Sequence, residues 1–187
     1  MASDELSLFS YEILGLVGRG GAGPHDLRLM ARRGRILDWA GESQYYAEPK
    51  RLARLGYLEA RRAPGKTRER TVYALTEKAY EALRAYAETP ARVTPFKSDG
   101  LLRLLIADLV GEERTRAGVA GLREDVADLR ERLEETRRGV AALPHRETYL
   151  GIVNDFVAGL LDLYDELVER VEDESAGDGA AEAQAAR

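Results

Sequence analysis

Apolar positions recur along the chain in two periods, and the switches between them divide it into elements. Over residues 6–17, Leu6, Phe9, Ile13, Leu14, Leu16 and Val17 fall largely on one helical side and predict a first core helix. The glycines from Gly18 to Gly23 break it; Pro24 suits the first turn of a second helix, whose stripe of Leu27, Met30 and Ala31 runs to about Arg33. Ile36, Leu37 and Trp39 are expected to close over this core. A third helical pattern has Ser43 as its N-cap, Tyr45, Leu52 and Leu55 as apolar positions and Gly56 as its stop. Residues 57–62 and 70–75 then read as two short strands joined by a connector containing Pro64-Gly65, which predicts a hairpin. Thr76 caps a fourth helix carrying Ala79, Tyr80, Leu83 and Tyr86, with Pro90 and Pro95 beyond its end.

The second half has a different pattern. Residues 101–110 are strongly apolar, and Val119, Leu122, Val126, Leu129, Leu133, Val140 and Leu143 follow as a heptad-like stripe. Pro144 and His145 interrupt it. A second, wider apolar face then runs from Tyr149 and Leu150 through Val153, Phe156, Val157, Leu160, Leu161, Tyr164, Leu167 and Val168 to Val171, predicting an antiparallel helical hairpin. A continuous helix over 119–143 would extend roughly 37 Å, more than one small domain covers, so a second copy is expected to cover its stripe. The expected fold is mainly α with a small β-hairpin wing: an N-terminal winged helix-turn-helix followed by an antiparallel C-terminal helical dimerisation segment. The expected divisions are 1–90 for DNA binding, 91–174 for dimerisation and effector response, and a disordered tail at 175–187.

Charge sharpens this division. The net charge of −5 hides 15 Lys/Arg against 12 Asp/Glu in residues 1–90, and 13 against 21 in residues 91–187. Within residues 50–70 there are eight Lys or Arg and two Glu, the electrostatic footprint of a phosphate-binding surface. With no Cys, and with His25 and His145 far apart in sequence, thiolate chemistry is excluded and a structural zinc site is not expected. The N-terminus carries Asp4 and Glu5 where a signal peptide would carry Lys or Arg, and charges interrupt every apolar run before membrane-spanning length. The expectation is a cytoplasmic protein with no membrane partner and no cofactor.

The residues from Gln44 to Thr76 resemble those of the PadR family of bacterial transcriptional regulators, and the whole chain is similar to its shorter class. The family's Gln-x-Tyr-Pro-x-x-x-Arg-Leu-x-x-x-Gly pattern meets Gln44, Tyr46, Arg51, Leu52 and Gly56; its basic stretch and Tyr-x-Leu-Thr ending meet Arg70, Tyr73, Leu75 and Thr76. Ala47 stands where the family commonly has Pro, Pro49 where it has Leu, His25-Asp26 where it often has Gly-Tyr, and Ala79 where it commonly has Gly. Proline beyond a helix's first turn costs about 3 kcal/mol, so the recognition helix is expected to begin near Glu48 or to kink there.

The resemblance implies a homodimeric repressor that binds a palindromic double-stranded operator and is released by a small aromatic effector, with no enzymatic activity. Gln44, Tyr46, Lys50, Arg51 and Arg54 are the expected groove or phosphate contacts, because Arg and Lys donate to guanine and Gln pairs with adenine. Lys66, Arg68 and Arg70 are the expected wing contacts, and Arg61 and Arg62 are equally well exposed hairpin charges. Trp39 is either core or, with Tyr149, Phe156 or Tyr164, part of an effector site. Two other classes stay open: a winged-helix module that recruits a protein partner through its acidic helices, and a nucleotide-dependent enzyme using Gly18-Arg19-Gly20-Gly21-Ala22-Gly23, which matches G-x-G-x-x-G. That match lacks the alternating strands and helices of a dinucleotide-binding unit, so a turn between core helices is the better reading.

Overall fold

The structure, a computed structural model, describes residues 5–34, 40–64, 69–94, 96–140 and 143–185, without the side chains of 33–34 and 174–185. The chain divides into two compact units, residues 1–93 and 94–187. The first contains helices α1 (Leu8–Val17), α2 (Pro24–Gly34) and α3 (Glu42–Arg54), an antiparallel hairpin of β1 (Leu58–Ala63) and β2 (Arg70–Leu75), and α4 (Glu77–Ala87). The strands pair from Leu58↔Leu75 to Ala63↔Arg70. This is a three-helix winged helix-turn-helix with its wing. Ile13, Leu14, Val17, Leu27, Ala31, Tyr45, Leu52, Leu58, Tyr73 and Ala79 form one continuous core. Met30, expected in the α2 stripe, is instead exposed, while Leu27 and Ala31 are buried. Ile36, Leu37 and Trp39 lie outside the described residues.

The glycine run is a structural turn. Ala22 bridges antiparallel to Tyr73, exchanging both backbone bonds (Ala22 N to Tyr73 O, 3.0 Å; Tyr73 N to Ala22 O, 2.9 Å). Gly21 has φ +74°, and a Cβ there would stand 2.8 Å from the Tyr73 carbonyl oxygen. Close passage of one backbone against another, with a positive φ, requires glycine.

Two expectations about α3 change. It begins at Glu42, after an N-cap at Gly41, not at Ser43; the Gln44 side chain reaches back to accept from Gly41 N at 3.0 Å, one half of a capping box. Nor does it start near Glu48, for Pro49 lies well inside it. Pro49 removes the backbone donor that would meet the Tyr45 carbonyl, but its ring is fully buried, and apolar packing offsets that loss.

The second unit holds α5 (Asp99–Leu105), α6 (Ala107–Val110), α7 (Glu112–Ala120), α8 (Leu122–Val140) and α9 (Glu147–Ala185). The α8–α9 pair is the expected antiparallel hairpin. Its register is marked by ion pairs spaced by a heptad on α8: Arg123 with Glu172, Arg130 with Asp162 and Asp165, Arg137 with Asp155. Each step of seven up one helix meets a step down the other. The stripe of Val119, Val126, Leu133 and Val140 is buried, as are Asn154, Val157, Leu161 and Val168 of α9. For Val119, Val126, Leu133 and Val140 the expectation that a second copy covers the stripe is corrected, since α9 of the same chain lies against α7 and α8, while Leu143 at the end of the stripe is exposed. Further exposed apolar side chains include Leu101, Leu102, Leu105 and Leu109 on α5 and α6, and Tyr149, Ile152, Phe156 and Leu163 on α9. The sequence predicts an irregular tail from Ser175, whereas α9 continues to Ala185.

Candidate nucleic-acid interface

The placement of α3 follows from a polar cluster that ties its inner side to α1. Ser10 is fully buried; its hydroxyl donates to Glu48 Oε1 at 2.8 Å and accepts from Arg51 Nη2 at 3.1 Å. Arg51 also grips Glu48 with both arms of its fork, Nε to Oε2 at 2.9 Å and Nη2 to Oε1 at 2.8 Å. Burial alone would raise the Glu48 carboxyl, but the bonds from Arg51 and Ser10 outweigh it and hold the group below its ordinary value. Beside this cluster the buried Tyr45 donates to Glu12 Oε1 at 3.2 Å and packs edge-on against Phe9 with ring centres 5.2 Å apart.

The far end of α3 is fixed as firmly. Tyr57 N donates to Leu52 O and Gly56 N to Ala53 O, the paired bonds of a Schellman stop, with Gly56 at φ +81°. Lys78, in the first turn of α4, donates from Nζ to Leu55 O at 2.7 Å and lies 4.4 Å over the Tyr57 ring. Thr76 Oγ1 donates to Gly56 O at 2.7 Å while its backbone N donates to Tyr57 O at 3.1 Å, joining α3 to the wing and to α4.

With one side so held, the opposite side of α3 faces out. Ser43, Tyr46, Ala47, Lys50 and Arg54, spaced 3, 1, 3 and 4 residues apart, line a shallow open depression of about 550 Å³. Lys50 and Arg54 form no ion pair with any described residue, and both are exposed. This is a cationic helix face with a hydroxyl, a methyl and a phenol between its charges. Such a face can donate to phosphates and to guanine in a major groove about 12 Å wide.

The expected site residues separate accordingly. Tyr46, Lys50 and Arg54 lie together on the outward face, while Gln44 is exposed on its flank with its carbonyl used in the cap. Arg51 is directed inward to Glu48 and Ser10, so the structure gives it a positioning role. Arg70 bonds Asp26, whose same oxygen accepts from Gly23 N at 3.1 Å, tying β2 to the start of α2. Arg61 and Arg62 pair with Glu59 and Glu69 on the exposed hairpin. Lys66 and Arg68 lie outside the described residues, as does Trp39. Tyr149 and Phe156 are 76% and 69% exposed on one side of α9. Ser43 and Ala47, which share this face, carry no charge to mark them in the sequence; their helical spacing from Lys50 and Arg54 is the available signal. Among the described residues no group of His, Asp or Glu is arranged to hold a metal ion, and no helix is long and apolar enough to cross a membrane.

No protein-family model matches the chain, and no curated protein does. Solved structures match nearly its whole length. Bacillus subtilis PadR in complex with operator DNA superposes with a TM-score of 0.68 at 17% identity, covering 89% of this chain and 99% of that one. A PadR-like transcriptional regulator from Bacillus cereus gives 0.67 at 17% identity, covering 91% and 99%. Bacillus subtilis PadR in complex with p-coumaric acid gives 0.58 at 16% identity, covering 91% and 99%. The fold of this chain is that of PadR-family transcriptional regulators.

Proposed function

We propose that this PadR-like chain is a sequence-specific double-stranded DNA-binding transcriptional regulator: a cytoplasmic homodimer that represses from a palindromic operator and is released by a small aromatic effector. The observation that carries the reading is the outward face of α3, where Lys50 and Arg54 stand unpaired beside Tyr46 while Tyr45, Pro49 and Leu52 are buried and Arg51 is tied to Glu48 and Ser10. In this reading α3 enters the major groove, and Gln44 contacts DNA from its flank. Lys66 and Arg68 bind phosphate from the wing, and Arg70 holds the wing's base. The phosphate bonds set register and most of the affinity; base edges set sequence.

Dimerisation is proposed through the exposed apolar side chains of α5, α6 and α9, since large apolar side chains left exposed in this number mark an association surface. Two copies related by a two-fold axis would place two recognition helices on half-sites about one helical turn, or a small multiple, apart. Tyr149 and Phe156 supply aromatic surface for an effector of the class that Bacillus subtilis PadR takes as p-coumaric acid. By shifting the helices that carry the DNA-reading units, such a ligand would uncouple the two half-sites. No catalytic step is involved. The reading as a protein-recruiting module is weakened because Asp155, Asp162, Asp165 and Glu172 are matched to Arg within the α8–α9 hairpin.

Selection of the full-length protein on a random duplex library at about 150 mM salt tests the proposal. Enrichment of a two-fold palindrome is expected. Retention of duplexes without any sequence preference, or none at all, would contradict it.

A further inference from the structure

The centre of the outward α3 face carries no charge. Ser43 and Ala47 sit one turn apart on its midline, with Tyr46, Lys50 and Arg54 around them, and these five residues line the depression. Short side chains at the middle of a helix face let the backbone approach the groove floor, while long ones beside them reach outward to phosphates or to guanine edges. Ala47 has neither donor nor acceptor. The one major-groove feature that an apolar side chain can distinguish by contact is the C5-methyl group of thymine. Ser43 donates and accepts without strong preference, so it does not duplicate that selectivity.

Resting on the DNA-binding reading above, we infer that Ala47 is a specificity-determining residue: its methyl group packs against the 5-methyl of a thymine at one position in each half-site. Lys50 and Arg54 supply affinity and orientation around that contact. The proposal concerns a position where a bulkier side chain would lift α3 from the groove floor, and where glycine would leave the thymine methyl without a neighbour.

The test replaces each thymine of one half-site of the selected operator, in turn, by deoxyuridine, which removes only the methyl group. Full-length wild-type protein is expected to lose about four-fold in affinity at a single thymine, from the transfer of one methyl-sized group out of contact. The Ala47→Gly variant is expected to bind the unmodified operator more weakly and to show no further loss at that thymine. Comparing each variant on both duplexes cancels any change in helix stability. Lys50→Ala is expected to weaken all duplexes alike and to keep the deoxyuridine effect. A flat deoxyuridine scan, or an undiminished effect in Ala47→Gly, would overturn the role of Ala47 while leaving DNA reading by α3 in place. Failure of the library to yield any operator would overturn the DNA-binding reading itself.

Discussion

Lys50, Arg51 and Arg54 lie within five positions of one helix, yet their side chains have different occupations, and single substitutions separate them. Lys50→Ala and Arg54→Ala should each lower the slope of log affinity against log salt by about one, with unchanged urea midpoints. Arg51→Ala should leave that slope alone and destabilise the first unit by about 1–3 kcal/mol, because Glu48 and Ser10 lose a partner in a largely buried place. The same cluster predicts a pH dependence. The Glu48 carboxyl is held below its ordinary value of 4.5, so its stabilising contribution is complete above that value and is lost as the pH falls through the depressed folded value. Urea midpoints measured from about pH 6 down to about pH 3 should fall less steeply in Glu48→Gln than in the wild type. An identical acid limb would remove the cluster from the account.

At the scale of elements, the helices and the wing were legible because periodicity, capping and turn chemistry agree there. Thr76, Gly56 and the hairpin do locally what their residue types predict. Two features were not legible, each for a physical reason. A polar side chain on α3 carries no mark of which way its helix is rotated, so nothing in the sequence shows that Arg51 turns inward to Glu48 or that the Gln44 carbonyl is used in the helix cap. A heptad stripe records that something covers it without recording which chain does, and α9 fills that place. The residues that carry the PadR resemblance are largely those that set the scaffold, including Arg51, Gly56, Tyr73 and Thr76; those facing outward from α3 are less constrained by the fold. The turn at Gly21 offers a direct check. Gly21→Ala should destabilise the first unit by about 1–3 kcal/mol in urea denaturation, through its positive φ and the Cβ set against the Tyr73 carbonyl.

For the whole molecule, the proposed reading of a palindrome requires that two copies of the first unit be joined. Charging the exposed apolar surface of the second unit with Leu109→Glu and Phe156→Glu should yield a folded monomer in sedimentation analysis, with affinity for the palindrome reduced to that for a lone half-site. A dimer that survives both changes would place the association surface elsewhere. The central claim is that the outward face of α3 reads DNA sequence, and the most direct measurement compares affinity for the selected operator with affinity for a scrambled duplex of equal length. The ratio should reach about 10³ or more for the wild type. In the doubly substituted Lys50→Ala, Arg54→Ala protein, the account predicts that both affinities fall alike, and in Ala47→Leu, whose longer side chain lifts α3 from the groove floor, that their ratio collapses. An Ala47→Leu protein that keeps the wild-type ratio would contradict it.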